Sequence, residues 1–303
     1  MNPLPPTFSI IVPTYNRPQQ LRRCLRALAA LEYPRDRFEV IVVDDGGSCQ
    51  VQELVAEYEP YLCLRYLMQD NRGPAAARNN GARLANGRFL AFTDDDCAPA
   101  PTWLRQLATR LQAEPHKMMG GYTQNTLHRN PFSTTSQMLV DYLYRYYNKT
   151  ESRTRFFTSN NFAVAAELFW HVGGFNETMP LAAGEDRELC GRWLDSDLGM
   201  VYVPRAIIYH EHELRPLSFW RQHFNYGRGA WLCRWLRSQR KANVLHLEPP
   251  TFYLNLISFP LRAVHDLPVC LLIAMLSFTQ IANALGFFYE QIIQRQQRFS
   301  RSP

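Results

Sequence analysis

The sequence lacks the short signatures that would assign its chemistry to several large enzyme classes. It has no phosphate-binding loop with a Gly-Lys-Ser/Thr end, no Gly-x-Gly-x-x-Gly after a strand, no His-Glu-x-x-His and no Gly-x-Ser-x-Gly. Phosphate-loop ATPases, dinucleotide-dependent oxidoreductases, zinc proteases and serine hydrolases therefore lose their main support. Paired cysteines are missing too. Cys24, Cys49, Cys63, Cys97, Cys190, Cys233 and Cys270 make an odd seven with no Cys-x-x-Cys spacing. That argues against a disulfide framework or a zinc cluster and fits a reducing compartment. The first nine residues carry prolines and no cationic flank ahead of an apolar run, so they do not resemble a secretory signal. The bulk of the chain is expected in the cytoplasm. Internal repeats and low-complexity tracts are also absent.

What is present is a chain of 303 residues with 46% hydrophobic content, enough for one large α/β domain plus an appendage, or two modest domains. Its net charge is +6, with the excess gathered in the last third at Arg215, Arg221, Arg228, Arg234, Arg237, Arg240 and Lys241. Such asymmetry suggests an anionic partner, and nucleic acid, a membrane surface and a phosphorylated substrate all satisfy it.

Apolar runs at 8–13, 38–43, 65–68 and 88–93 alternate with helical periods at 21–31 and 75–85. The alternation predicts a parallel sheet with right-handed crossovers, in which ligands bind beyond the carboxyl ends of the strands. The polar clusters 14–17, 44–48 and 94–96 fall at those ends. A helix from about 103, a strand at 118–122, a Tyr-rich helix at 136–147 and a strand at 200–210 follow. From 216 the chain is aromatic and basic, and finally apolar.

Asp94, Asp95 and Asp96 crowd three carboxylates at a strand end, where they repel unless a cation neutralises them. Hard oxygen ligands at that density suit Mg²⁺ or Mn²⁺ bridging to a diphosphate, whereas an isolated acidic triplet is more often a solvated turn. Placement after a buried strand favours the metal. Asp44 and Asp45, released from a second strand into a glycine turn, can accept hydrogen bonds from a base or from ribose hydroxyls, or can simply cap the next helix. Arg78 lies two turns into a small-residue helix and can pair with phosphate or with Asp94 to Asp96; the same helix can equally be thin for packing reasons. Glu185 and Asp186 open a helix, where acids favour the macrodipole, and Asp186 is also placed to be general base for an acceptor hydroxyl. His210-Glu211-His212 after the strand 200–210 can lend an imidazole to a metal.

Taken in order, Ser9-Ile-Ile-Val-Pro-Thr-Tyr-Asn-Arg-Pro, Val40-Ile-Val-Val-Asp-Asp-Gly, Asn71-Arg-Gly-Pro-Ala-Ala-Ala-Arg, Asp94-Asp-Asp, Gly173-Gly-Phe and Gly184-Glu-Asp resemble the family-two glycosyltransferases of the GT-A fold. The resemblance covers residues 8–212. It implies a Rossmann-like, mixed but mostly parallel sheet flanked by helices, and a nucleotide-diphosphate sugar as donor. By that likeness Pro13, Thr14, Tyr15 and Asp45 hold base and ribose, with Asp44, Asp95 and Arg78 near the donor. Asp94 and Asp96 form the metal-binding pair, with His210 rather than His212 as a further ligand. Asp95 stands where a small residue is commoner, which leaves open which two carboxylates touch the metal. Asp186 is the base, and Asn160, Asn161 and Glu185 shape the acceptor side. The implied reaction is displacement at the anomeric carbon with inversion, in polysaccharide or glycolipid synthesis.

The division expected is a catalytic domain over 1–215, with its nucleotide-binding half at about 1–100 and its acceptor half at 101–215, and a helical C-terminal region over 216–303. Between Asp266 and Glu290 no charged residue occurs. Residues 267–288 are long enough to span a bilayer, and Pro268, Gln280 and Asn283 keep a buried core helix, a re-entrant hairpin with 252–261 or an interfacial helix open. The expectation is a membrane-associated enzyme at the cytoplasmic face, acting on a glycan or lipid-linked acceptor. Two rivals remain: an inactive nucleotide-sugar-binding module, which leaves intact acids without purpose, and a nucleic-acid binder built on the aromatic-basic run 219–241, which leaves the acids unexplained.

Overall fold

The computed structural model describes residues 7–47, 51–150, 153–179, 181–240, 248–263 and 265–299. Ser48, Cys49, Lys241 and Arg301 lie outside these residues, as does the side chain of Arg298. Eight strands form one sheet: β1 (Phe8–Thr14), β2 (Phe38–Asp44), β3 (Leu64–Met68), β4 (Phe89–Phe92), β5 (Cys97–Pro99), β6 (Met118–Asn125), β7 (Phe162–Ala165) and β8 (Met200–His210). Their order is β3-β2-β1-β4-β7-β6-β8-β5. Strands β3, β2, β1 and β4 are mutually parallel, as the alternation of runs predicts. The sheet turns mixed at β7, antiparallel to β4 and β6, and at β5, antiparallel to β8.

Helices cover both faces. β2 is buried at all seven positions, the pattern of a parallel strand with helices on both sides. On one face α1 (Pro18–Ala29) buries Leu21, Cys24, Leu25 and Leu28, one stripe at helical spacing, beside α2 (Val51–Ala56) and α4 (Trp103–Ala113). On the other lies α3 (Pro74–Leu84), whose Ala75, Ala76, Ala77 and Ala82 bring it close to the sheet. A Cβ on Gly81 would sit 2.6 Å from Ile11, so this helix is as thin as its neighbours require. The same face carries α6 (Ala166–His171) and α7 (Glu185–Asp195).

A third cluster sits between α5 (Pro131–Tyr147), α9 (Pro250–Ile257) and α10 (Val269–Phe299), built on Leu139, Tyr142, Phe252, Leu256 and Leu276. α10 crosses α8 (Pro216–Arg240) at close range. A Cβ on Gly227 would lie 1.9 Å from the Asn283 carbonyl, and one on Gly286 would lie 1.9 Å from the Phe224 carbonyl. Arg228 pairs with the buried Glu290 at 2.7 Å across the same seam. The aromatic residues of α8 serve this packing: Trp220 contacts Phe278, and Phe224 contacts Tyr289. That use removes the open stacking surface a nucleic-acid reading would need from these two residues.

α10 contains a 28-residue segment, Val269–Gln296, whose most apolar 18 residues have mean hydropathy 1.8. Only one face of it is covered. Leu272, Leu276, Thr279 and Ala282 are fully buried, while Phe278, Ile281, Leu285, Phe288 and Ile292 are between 43% and 59% exposed. The bare residues recur every three or four positions and form one stripe.

Candidate active site

The carboxyl ends of β1, β2 and β4 open into a cavity of about 1770 Å³, which is also lined by α5, α7 and α8. β4 delivers the three aspartates into a tight turn before β5, where Asp94 takes Arg78 while Asp95 and Asp96 share Arg17. Asp94 accepts from Arg78 at 2.7 Å. Asp95 accepts from the Thr14 hydroxyl at 2.8 Å and from Arg17 at 3.2 Å. Asp96 meets Arg17 at 3.1 Å, His210 Nε2 at 3.2 Å and His212 Nδ1 at 3.1 Å. Burial and the neighbouring Asp96 push the Asp95 carboxyl up to about 7. Burial acts the same way on Asp96, but His210 and His212 outweigh it and hold that carboxyl well below the usual range.

His210 ends β8 and His212 lies two residues beyond it; both rings meet Asp96 and stack on each other at 5.2 Å. The ligand atoms of Asp96, His210 and His212 all lie within 4.8 Å of one another, a group able to hold a metal ion. His212 Nε2 meets Gln222 on α8 at 2.7 Å, and Gln222 donates to Ser136 on α5 at 2.6 Å. Such outer partners fix the ring orientation of a ligating histidine. A donor set of one carboxylate and two imidazoles fits Mn²⁺ better than Mg²⁺, which prefers oxygen. His212 thus joins the group beside His210, while Asp94 is turned toward Arg78. Arg17 and Gln222 are further residues at the site that the sequence reading did not single out. For Arg17 the signal was its place directly after Thr14-Tyr15-Asn16; Gln222 had none, because only tertiary packing brings α8 to β8.

Arg78 is buried and spans two sites, bonding Asp94 with one nitrogen and Glu185 at 3.1 Å with the other. Gly184, at φ +88°, turns the chain into α7 and sets Glu185 and Asp186 at its first turn. Burial and Asp186 push the Glu185 carboxyl up to about 7, and its Oε2 has no hydrogen-bond partner. Burial also raises Asp186, whose Oδ1 accepts from the Arg187 amide at 2.6 Å. Both line the cavity.

Pro13, Thr14, Tyr15, Asp45, Arg78, Asn160 and His210 line it as well. Tyr15 is 48% exposed, an open ring available for stacking. Asp45 accepts from Gln69, from the Arg72 amide and from the Gly73 amide, which ties the loop before α3 to β2. Two expected contact residues, Asp44 and Asn161, are not among those lining the cavity. Asp44 is 1% exposed, accepts from the Gly47 amide and the Tyr66 hydroxyl, and holds its own turn instead of a donor. Asn161 is fully buried, accepting from Trp103 Nε1 and donating to the carbonyls of Tyr122 and Ala206, which ties α4, β6 and β8 together.

A family model described as Glycosyl transferase family 2 matches residues 9–173, more than half of the chain. The chain belongs to this family. Among curated relatives of this glycosyltransferase, Glycosyltransferase AglE of Haloferax volcanii is 26% identical over 227 residues, which span 74% of this chain and 73% of that protein. Validoxylamine A glucosyltransferase of Streptomyces hygroscopicus subsp. jinggangensis is 31% identical over 212 residues, 61% of this chain and only 50% of that enzyme. Hyaluronan synthase of Pasteurella multocida is 32% identical over 239 residues, 67% of this chain but 24% of the synthase. Among solved structures, the mannosyltransferase PcManGT from Pyrobaculum calidifontis, in complex with GDP-Man and Mn²⁺, is 20% identical. It superposes with a TM-score of 0.66 over 95% of this chain and 88% of its own. S. aureus TarS 1–349, in complex with UDP-GlcNAc, gives 0.58 at 19% identity over 96% and 92%. These structures establish the GT-A fold.

Proposed function

We propose that this family 2 glycosyltransferase moves a sugar from a nucleotide-diphosphate donor to a hydroxyl acceptor with inversion, aided by Mn²⁺ at Asp96, His210 and His212. The observation that carries the reading is the meeting of Asp96, His210 and His212 in one cavity with Asp186 and the Arg78-linked acids. The mannosyltransferase of similar fold was solved with GDP-Man and Mn²⁺, and TarS with UDP-GlcNAc, which supports a nucleotide-sugar donor. In this reading Tyr15 and Pro13 receive the base at the end of β1. A bound divalent ion would supply positive charge to the departing diphosphate, where negative charge grows in the transition state. Arg78 keeps Asp94 and Glu185 in fixed geometry. Asp186 Oδ accepts the proton of the acceptor hydroxyl as its oxygen bonds to the anomeric carbon and the bond to the diphosphate oxygen breaks.

Residues 1–215 form the catalytic unit in this reading, halved near residue 100, and 216–303 complete its wall. α10 lies along the catalytic unit, so its bare stripe suits an interfacial helix resting on the cytoplasmic face of a membrane better than a span. Direct measurement of transfer from a panel of nucleotide sugars, in Mn²⁺ and in chelator, tests the assignment. Turnover that is equal in both would remove the metal; no turnover with any donor would favour an inactive binding module.

A further inference from the structure

We infer that the far end of the cavity is an acceptor subsite for an amphiphile with a phosphate-bearing head, a lipid-diphosphate-linked sugar, with Arg187, Arg237 and Arg155 reading the anionic head. The inference rests on the transferase reading above and names the acceptor class it leaves open.

The cavity is larger than one ligand needs. Sites for small molecules run to about 300–1,000 Å³, whereas this one holds about 1770 Å³ and continues past Asp186 to α9 and α10. Its two ends differ in charge. At the β4 end arginines are consumed by acids: Arg17 by Asp95 and Asp96, and Arg78 by Asp94 and Glu185. At the far end acids are consumed instead. Glu188 is held by Arg192 and Arg240, Asp195 is reached by Arg240, and Glu248 accepts from the hydroxyls of Tyr146 and Tyr147, which leave its charge in place, so one carboxylate stands against three arginines. What is left over is positive. The only hydrogen bond of the Arg187 side chain among the described residues is to the Tyr147 hydroxyl, at 3.0 Å, and its guanidinium lies 5.3 Å over the Tyr147 ring. The side chains of Arg155 and Arg237 line the cavity without a hydrogen bond or ion pair among the described residues. Guanidinium groups match phosphate oxygens, and Arg187 follows the base Asp186 directly, so an anion bound there would set an attached sugar hydroxyl near that carboxylate.

The same end turns apolar. Phe252, Leu256, Phe287 and Phe288 line it, and Phe288, 59% exposed, is also part of the bare stripe on α10. A chain leaving the arginines thus has apolar lining residues to meet, one of which, Phe288, also belongs to the outer face of α10. A soluble anionic glycan would use the arginines and leave that lining unexplained; an uncharged lipid would do the reverse.

The test is binding to the full chain in EDTA, which silences the metal end, by calorimetry with farnesyl diphosphate, farnesol, inorganic pyrophosphate and a hexuronate oligosaccharide. Farnesyl diphosphate should bind at least about tenfold more tightly than each of the other three, since both halves of the site are then engaged. Arg187→Ala and Arg237→Ala should each weaken it about tenfold, the usual worth of a charge-assisted bond, without changing the affinity for farnesol. If either variant fails to fold, the salt dependence of wild-type binding replaces it: affinity for farnesyl diphosphate must fall with ionic strength while that for farnesol does not. Equal binding of farnesol, tighter binding of the oligosaccharide, or indifference to salt and to both substitutions would overturn the subsite. Nucleoside diphosphate binding in Mn²⁺, measured on the same samples, reports separately on the transferase reading.

Discussion

The two ends of the cavity were built by different means. The end under β1, β2 and β4 takes its groups from strand ends and the turns just after them, so sequence position nearly dictates spatial position: a buried strand stops, and the next residue is at the site. The end under α8, α9 and α10 is assembled by helices that meet only through tertiary packing, at the Gly227–Asn283 and Gly286–Phe224 contacts and the Arg228–Glu290 pair. Chemistry is concentrated in the first, while shape and charge distinguish the second. If this division is right, substitutions at the strand ends and in the first turn of α7 should change turnover, and substitutions in α8 and α10 should change metal tuning and surface attachment.

The sharpest break is Asp186→Asn, which should lower transfer about 10²–10⁴-fold, the usual contribution of a general base, while leaving nucleoside diphosphate affinity within about twofold. Single-turnover assays beside calorimetry separate the two effects. Near-normal transfer would take Asp186 out of the mechanism.

Gln222→Ala probes where the two regions touch, because Gln222 belongs to α8 yet bonds His212, two residues past the end of β8. Loss of an outer partner to a ligating histidine should cost about 10–100-fold in Mn²⁺ affinity, with little effect on nucleotide binding in chelator. Unchanged Mn²⁺ affinity would mean that His212 needs no such support or is not a ligand.

A third test uses pH. Burial raises the Asp186 carboxyl, and a base must be ionised to accept a proton. The rate should therefore fall as pH drops through that raised value, by about tenfold per unit below it, and the fall should begin above the ordinary aspartate range. Asp186→Asn should abolish this limb of the profile. A wild-type rate flat down to the ordinary range would show that Asp186 is not the titrating group.

The strand-end region was legible in the sequence because apolar runs locate the strands and their last residues. β8 was predicted at 200–210 and runs Met200–His210; β4 and β6 were likewise placed within a few residues. The direction of β7 was not legible, since antiparallel insertion depends on which neighbours it finds and not on its own four residues, Phe162–Ala165. Roles within the motifs were only half legible. Asp44 and Asp45 are adjacent and chemically alike, yet one closes a turn and the other lines the cavity, because neighbouring residues at a strand end face opposite ways. Asn160 and Asn161 divide in the same manner. The contact of His212 with Gln222, the seventh residue of α8, was not legible either, since no spacing rule connects α8 to the segment after β8.

The smallest effect concerns the outer face of α10. Ile281 and Leu285 are 56% and 50% exposed, one helical turn apart, and neither lines the cavity, so replacing them leaves the binding groups untouched. Fully burying such a side chain is worth about 1.5–3 kcal/mol; with half already shielded by the fold, contact with a bilayer offers about 1 kcal/mol at each position. Ile281→Ser should accordingly weaken partition onto vesicles about fivefold, and the same change at Leu285 should do likewise. Circular dichroism should be unaltered, because the covered side, Leu272, Leu276 and Ala282, remains intact. Sedimentation with vesicles of neutral and of anionic lipid measures both the loss and any contribution from charge. If both variants sediment like the wild type, the stripe does not face lipid, and another partner must cover it.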